Sequence, residues 1–331
     1  MIRLNIFVAI VVALFVVHIP VISAHAQGDN TVIRIGNLDL GPYLPVAYVA
    51  KIAEKYGIKV KISPFRRSLE IASAVKAGEL DVGVGGIEAV VVALATGTPA
   101  VVISGISNKG VGWVGRSDIK WTSLRDLKGK RFATIHGLHE LVARTIIENA
   151  GLTTSREPGK ADVQLLLVPS SPQLVTALKL RQADATSAPE PFPSRAVAEG
   201  YAVPILTPAQ VYGTKLGTFP RAIYMRSDFI KQHPKVAQGF VDALTEATKT
   251  FRDNPKIARD FALNDQLKDT ISAEDWDIAE KNQDWDVDLS AASVQAFIDQ
   301  MARYRMIDAP LDAGKLTDLS MLEEAKKKLR W

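Results

Sequence analysis

The chain contains no cysteine. That absence removes disulfides, thiol catalysis, cysteine-based metal sites and a lipid-bearing cysteine anchor together. An exported protein without disulfides must be held by its core, and 331 residues, 47% of them apolar, suffice to build one. Long hydrophobic runs are also missing. Residues 6–17 form the longest unbroken apolar stretch of the leader, short of the roughly 20 residues that a spanning helix needs. Excess charge of one sign is scarce: 40 Lys and Arg stand against 36 Asp and Glu, for a formal +4. So mild and evenly spread a charge argues against a nucleic-acid partner. No Ser/His/Asp spacing and no glycine-rich phosphate motif stands out.

What is present begins with a leader. Arg3 supplies a positive start, residues 6–17 the apolar segment, Pro20 a break and Ala24-His25-Ala26 a small-x-small cleavage site. These predict a signal peptide over residues 1–26, cut before Gln27, and therefore a periplasmic protein. Removing it takes away Arg3 alone among the charged residues and lowers the formal charge by one.

The rest of the chain is organised around VKAGELDVGVGGIEAVVVALATG, residues 75–97. It reads as a helix end, a turn at Gly78, a short strand over 80–84, a glycine loop at Gly85-Gly86, and a helix closed by Gly97. In open α/β sheets ligands sit outside the carboxyl ends of strands and near helix N-termini, the position of this loop. Upstream, strands are expected over 31–36 and 58–63, with helices over 46–56 and from Ser68, the latter burying Leu69, Ala72 and Val75. Further strands are expected over 101–106 and 112–115. Alternation of this kind implies an α/β fold with a mostly parallel sheet covered on both faces.

A second block begins near Ser117, with a capped turn at 123–129, strands over 131–135 and 163–168, and helices over 139–150 and 172–180. It repeats the opening theme: Ala74, Lys76 and Asp81 correspond at an offset of 103 residues to Ala177, Lys179 and Asp184. Each segment runs through an Asp-started strand to a loop carrying a carboxylate, Glu88 or Glu190. Residues 221–225 return as a strand, and a run of helices after Asp228 is expected to pack back onto the first block.

His136 and His139 stand three apart at a loop-to-helix junction beside Glu140. A shared metal would need third and fourth ligands, and none is evident, so ligand contact or a backbone bond at the helix start is the simpler reading. Glu190, at a strand end, either faces the cleft or holds the hinge by bonding backbone N–H groups. Tyr43, Trp113 and Phe219 are candidate stacking surfaces; Trp276 and Trp285 read as core.

The chain resembles the solute-binding proteins of ABC importers of the nitrate, sulfonate and taurine type, within the superfamily that also holds pyrimidine-synthase-like proteins. The resemblance is carried by residues 74–97, by SLRDLKGKRFATIHG (123–137), by ENAGL (148–152), by ALKLRQADATSAPEPF (177–192) and by HPKVAQGFVDA (233–243), and covers nearly the whole chain after the leader. It implies a two-lobed periplasmic binding protein fold of type II, each lobe a mostly parallel sheet flanked by helices. Lobe 1 would comprise 27–116 plus 218–331 and lobe 2 117–217, with crossings near Gly115–Lys120 and Gly213–Pro220. The lobes would close on a ligand.

Contacts are implied from Asp39 and Gly41 after the first strand, from Gly85, Gly86, Ile87 and Glu88, from Ser107 and Asn108, from His136, Gly137, Leu138 and His139, and from Glu190, with Phe219 beside them. Where anion-binding relatives are expected to offer hydroxyls or cations, this chain has Gly86-Ile87 and adds Asp39, Glu88 and Glu190. A neutral, cationic or mixed-charge organic ligand is therefore expected. The resemblance further implies a monomer without cofactor or metal that hands its ligand to an ABC permease and catalyses nothing. The alternatives are an exported enzyme of related fold, though the cysteine-rich motif of the pyrimidine synthases is absent, and a ligand-sensing protein docking on a receptor.

Overall fold

Residues 31–206, 220–308 and 311–331 are described by a computed structural model; the expected leader and Phe219 lie outside them. The first half runs β1 (Val32–Leu38), α1 (Leu44–Ile52), β2 (Lys59–Phe65), α2 (Ser68–Lys76), β3 (Val82–Gly86), α3 (Ile87–Ala95) and β4 (Ala100–Ser107). There follow β5 (Val111–Arg116), β6 (Lys130–Thr134), α4 (Leu138–Asn149), β7 (Thr154–Ser155), β8 (Val163–Leu167), α5 (Ser171–Lys179), β9 (Ala185–Pro189), α6 (Phe192–Ala198) and β10 (Ala202–Leu206). The chain returns as β11 (Arg221–Arg226) and then becomes helical. Its helices are α7 (Ser227–Gln232), α8 (Pro234–Asp253), α9 (Pro255–Phe261), α10 (Ala273–Ala279), α11 (Ala291–Arg303), α12 (Ala313–Leu316) and α13 (Ser320–Leu329).

The strands form two sheets. The first has five strands in the order β2-β1-β3-β11-β4, and the second six in the order β10-β5-β9-β6-β8-β7. β1 is parallel to β2 and β3, while β11 lies antiparallel between β3 and β4. The expected parallel sheet is thus split by a strand returning from late in the chain. β11 belongs there because Arg221–Met225 are buried on both faces, as an inner strand requires.

The second sheet mirrors this plan: β6 is parallel to β8 and β9, and β5 pairs antiparallel with β9 and β10. β5 therefore belongs to the second sheet, whereas the boundary at 116 placed it in lobe 1. The chain crosses between sheets at residues 108–110, not near Gly115–Lys120. Val111 and Trp113, both buried, continue the apolar alternation into β9's neighbourhood. The second expected crossing, near Gly213–Pro220, lies outside the described residues except for Pro220, between β10 and β11.

The repeat seen at an offset of 103 is structural. The Asp81 N–H donates to Arg34 O at 2.8 Å, and the Arg34 N–H returns a bond to Asp81 Oδ2 at 2.9 Å. Asp184 does the same with Arg131, at 2.8 and 2.9 Å. The helix ends match as well. Gly78 (φ 78°) and Arg181 (φ 57°) occupy corresponding left-handed positions, which glycine takes freely and arginine at a cost.

One apolar cluster runs from Ile33 and Ile35 of the first sheet to Phe132 and Val163 of the second. Trp113 is 1% exposed and packs against Phe132, ring centroids 4.9 Å apart. It is core and not a stacking surface for a ligand. Trp276 and Trp285 stack in a third cluster beside Phe251, as expected of core residues. The C-terminal helices do not all return to the first lobe. α8 packs on α1 and α13, but α10 packs on α6 and α11 reaches α4, both of the second half.

Candidate ligand-binding site

Between the two sheets lies a cleft of about 1590 Å³. Its walls are the carboxyl ends of parallel strands and the turns that follow them: Leu38–Leu40 after β1, Gly86 and Glu88 after β3, residues 135–139 after β6, residues 169–172 after β8, and Pro189-Glu190 after β9. That is where an α/β sheet offers backbone N–H groups and helix N-termini without side chains in the way. Leu69 is 56% exposed and lines this cleft; Ile71 and Val75 take the buried face of α2 in its place.

The expected site residues divide into two groups. Asp39, Gly86, Glu88, His136, Gly137, Leu138, His139 and Glu190 line the cleft together. Gly41, Gly85, Ile87, Ser107 and Asn108 stand behind it. Gly41 O accepts from the Trp285 indole at 3.2 Å, and Gln283 leaves no room for a side chain there. Gly85 packs on Ser68, and Ile87 is fully buried core. Ser107 Oγ, Asn108 N–H and Lys109 N–H converge on Asp284 Oδ1 at 3.1, 3.0 and 2.7 Å, pinning the crossing to the loop before α11.

The three carboxylates read from the sequence have different roles. Asp39 accepts from Gln266 Nε2 at 2.5 Å. Glu190, 4% exposed, accepts from Asn282 Nδ2 at 2.7 Å, and its other oxygen faces the Ser194 N–H in the first turn of α6 at 3.4 Å. Glu190 thus lines the cleft while its carboxylate is held by Asn282 and the first turn of α6. Burial raises its pKa, against the pull of Ser194 and Asn282.

Glu88 is different. Its side chain is part-exposed to the cleft, yet Oε2 is closed off without a hydrogen-bond partner. Burial raises its pKa, while the backbone N–H groups of Glu88, Leu138 and Ala89 and the charge of Arg221 pull it back.

Arg221, 6% exposed, gives no functional signal in the sequence, because it opens an apolar strand and carries no motif. It donates to Lys109 O at 2.6 Å and lines the cleft beside Glu88, Tyr43 and His139. Burial pushes the Tyr43 phenol up, with Arg221 opposing and Glu88 adding. Burial, and then Arg221, pushes the His139 imidazole down to about 4, so it is neutral at pH 7. These four side chains feel one another across the two sheets.

Further cations reach the cleft from Arg66, Arg67, Arg144 and Arg156. Arg144 and Arg156 are engaged with buried Glu140 at 3.1 and 2.6 Å, and His136 Nδ1 lies 3.1 Å from the same carboxylate. Burial alone would push the Glu140 carboxyl up, but Arg156, His136 and Arg144 hold it below the usual range. His136 thus faces Glu140, whereas His139 lies near Arg221. Among the described residues no group of three His, Asp or Glu side chains could hold a metal.

The geometry agrees with what the chain is similar to. A periplasmic nitrate-binding protein NrtA from Synechocystis PCC 6803 superposes with a TM-score of 0.74 at 19% identity, over 91% of this chain and 89% of that one. The alkanesulfonate-binding protein SsuA from Xanthomonas axonopodis pv. citri, bound to MOPS, superposes at 0.68 with 18% identity, over 87% and 98%. A zinc-bound ligand-binding component of an ABC-type import system from Staphylococcus aureus gives 0.73 at 16%, over 89% and 99%. These likenesses show the periplasmic binding protein fold. No curated protein matches by sequence. A family model does match, over residues 26–263, which is most of the chain, and by it the protein belongs to the NMT1-like family.

Proposed function

We propose that this protein is the solute-binding component of an ABC importer, capturing a small organic molecule between its lobes and delivering it to a permease. The observation that carries this reading is the large cleft walled by strand ends and helix N-termini from both sheets. Among the described residues no constellation at that cleft pairs a nucleophile with an oriented base: His136 faces Glu140, Asp39 and Glu190 accept from side-chain amides, and His139 lies near Arg221. The similar solved structures named above are binding proteins by their descriptions. The crossing at residues 108–110 serves as a hinge between a lobe built on the first sheet and one built on the second. A periplasmic location fits the leader expected over residues 1–26.

A thermal-shift screen of small organic solutes tests the function. A true ligand at 100 times its Kd stabilises the protein by about 2.7 kcal/mol. Stabilisation without turnover is the expected result. Chemical conversion of the stabilising compound would replace this reading with the enzyme reading.

A further inference from the structure

The first turns of α3 and α4 face each other across the cleft, one from each sheet, and Glu88 lies between them. Its carboxyl group meets its own helix's N–H groups and the Leu138 N–H of the opposite lobe, with the Arg221 charge nearby. The glycines before both helices make the room. A Cβ at Gly137 would stand 3.2 Å from Glu88 Oε1, and one at Gly86 would collide with Oε2. Helix N-termini and an adjacent buried arginine are what a small oxyanion seeks. Here a side chain of the protein already has that place. Its Oε2, buried and without a hydrogen-bond partner, is the acceptor left over.

We propose that Glu88 is a built-in occupant of the oxyanion seat between α3, α4 and Arg221, a specificity-determining residue that shuts out small inorganic and sulfonate anions and leaves the cleft to uncharged or cationic organic ligands. The proposal deepens the solute-binding reading and rests on it for the ligand class. Seat occupancy alone accounts for exclusion: a second anion would have to displace a carboxyl group whose backbone remains in α3. Removing the carboxyl empties the seat but leaves the N–H groups and Arg221 in place.

Calorimetry of the purified protein with sodium sulfate, sodium nitrate and sodium methanesulfonate, at one ionic strength, tests this. Wild type should bind none of them below millimolar concentration. Glu88→Ala, and Glu88→Ser as a second opening variant that keeps a helix-capping hydroxyl, should gain at least tenfold in affinity for one or more. Glu88→Gln should gain less, because the carboxamide has the same size and still fills the seat. Micromolar anion binding by wild type overturns the proposal. So does an absence of gain in an opening variant whose circular dichroism and melting are those of a folded protein. An equal gain in Glu88→Gln would mean that charge and not occupancy keeps anions out, and overturns it too. Solute capture is judged separately: wild type stabilised by an organic ligand while the opening variants gain no anion would sink this proposal and leave the importer reading standing.

Discussion

At the scale of single residues, His139 sets a pH signature. Its imidazole is pushed down to about 4 by burial and Arg221, from 6.5 in the unfolded chain. The folded protein then binds fewer protons than the unfolded one between those values. The stability this contributes is full above pH 6.5 and lost as pH falls toward 4, by at most about 1.4 kcal/mol per pH unit, less in so far as the ring is part-exposed. Glu88 and Glu190 act with the opposite sign. Their raised values contribute stability present below the unfolded carboxylate range and lost as pH rises through the folded value. The comparison is therefore wild type against His139→Gln: melting temperatures should converge as pH falls from 6.5 to 4, and parallel curves would show that the ring protonates freely in the fold. For Glu190, truncation to Ala strips the acceptor from Asn282 Nδ2 and from the Ser194 N–H. That should cost about 1–3 kcal/mol in urea unfolding, because buried donors are left unsatisfied. The loops holding Glu88, His136, His139 and Glu190 could be read from the sequence because strand, glycine and helix patterns mark strand ends. Arg221 could not. Inside RAIYM it looks like a strand's first polar residue, and only the return of β11 between β3 and β4 brings it to the cleft.

At the scale of elements, each lobe is built on the same helix, turn and Asp-started strand, locked to a neighbouring strand by a reciprocal pair of bonds. Asp81 is buried and takes the Arg34 N–H and Nε at 2.9 Å, and its own carbonyl accepts the Arg226 N–H at 2.9 Å. Asp184 takes the Arg131 N–H at 2.9 Å and Arg116 Nη1 at 3.2 Å, and its carbonyl accepts the Arg116 N–H at 2.9 Å. Each clamp thus ties two parallel strands and one antiparallel strand at the end of the sheet away from the cleft. The match at Ala74, Lys76 and Asp81 was visible as spacing, but which arginines answer the aspartates was not, since they come from strands far apart in sequence. Asp81→Ala and Asp184→Ala should each cost about 1.5–3 kcal/mol, the range for bonds to a charged group. The arginines are partly solvated, which argues for the lower half. Urea midpoints should drop with the slope unchanged. A neutral substitution at either position would mean that the strand pairing stands without its clamp.

At the scale of the whole molecule, the question is what holds the two sheets in register across a cleft of about 1590 Å³. The described crossing, residues 108–110, is short. The C-terminal helices add the rest, which is why their lobe could not be read from composition: an amphipathic helix shows which face is apolar and not which sheet will cover it. α10 is tied to α6 by Asp275 and Arg195, with Oδ1 and Nε 2.6 Å apart. The Tyr304 hydroxyl, just beyond α11, donates to Glu148 of α4 at 2.8 Å. These ties span from elements continuous with the first sheet to helices of the second, so opening the cleft must break or carry them. Lobe closure on a ligand is a shift between two populations, and a tie made only in the closed form biases it. Tyr304→Phe removes one hydrogen bond to a carboxylate and keeps the ring. At about 1.5 kcal/mol, that would change the closed-to-open ratio by about tenfold. Small-angle scattering of the ligand-free variant should then show a larger radius of gyration than wild type. Saturating ligand should bring both to the same smaller value, because ligand contacts supply what the lost tie did. If wild type keeps one radius with and without its ligand, the lobes do not move as two bodies. If the variant matches wild type throughout, the Tyr304–Glu148 contact plays no part in holding the cleft closed.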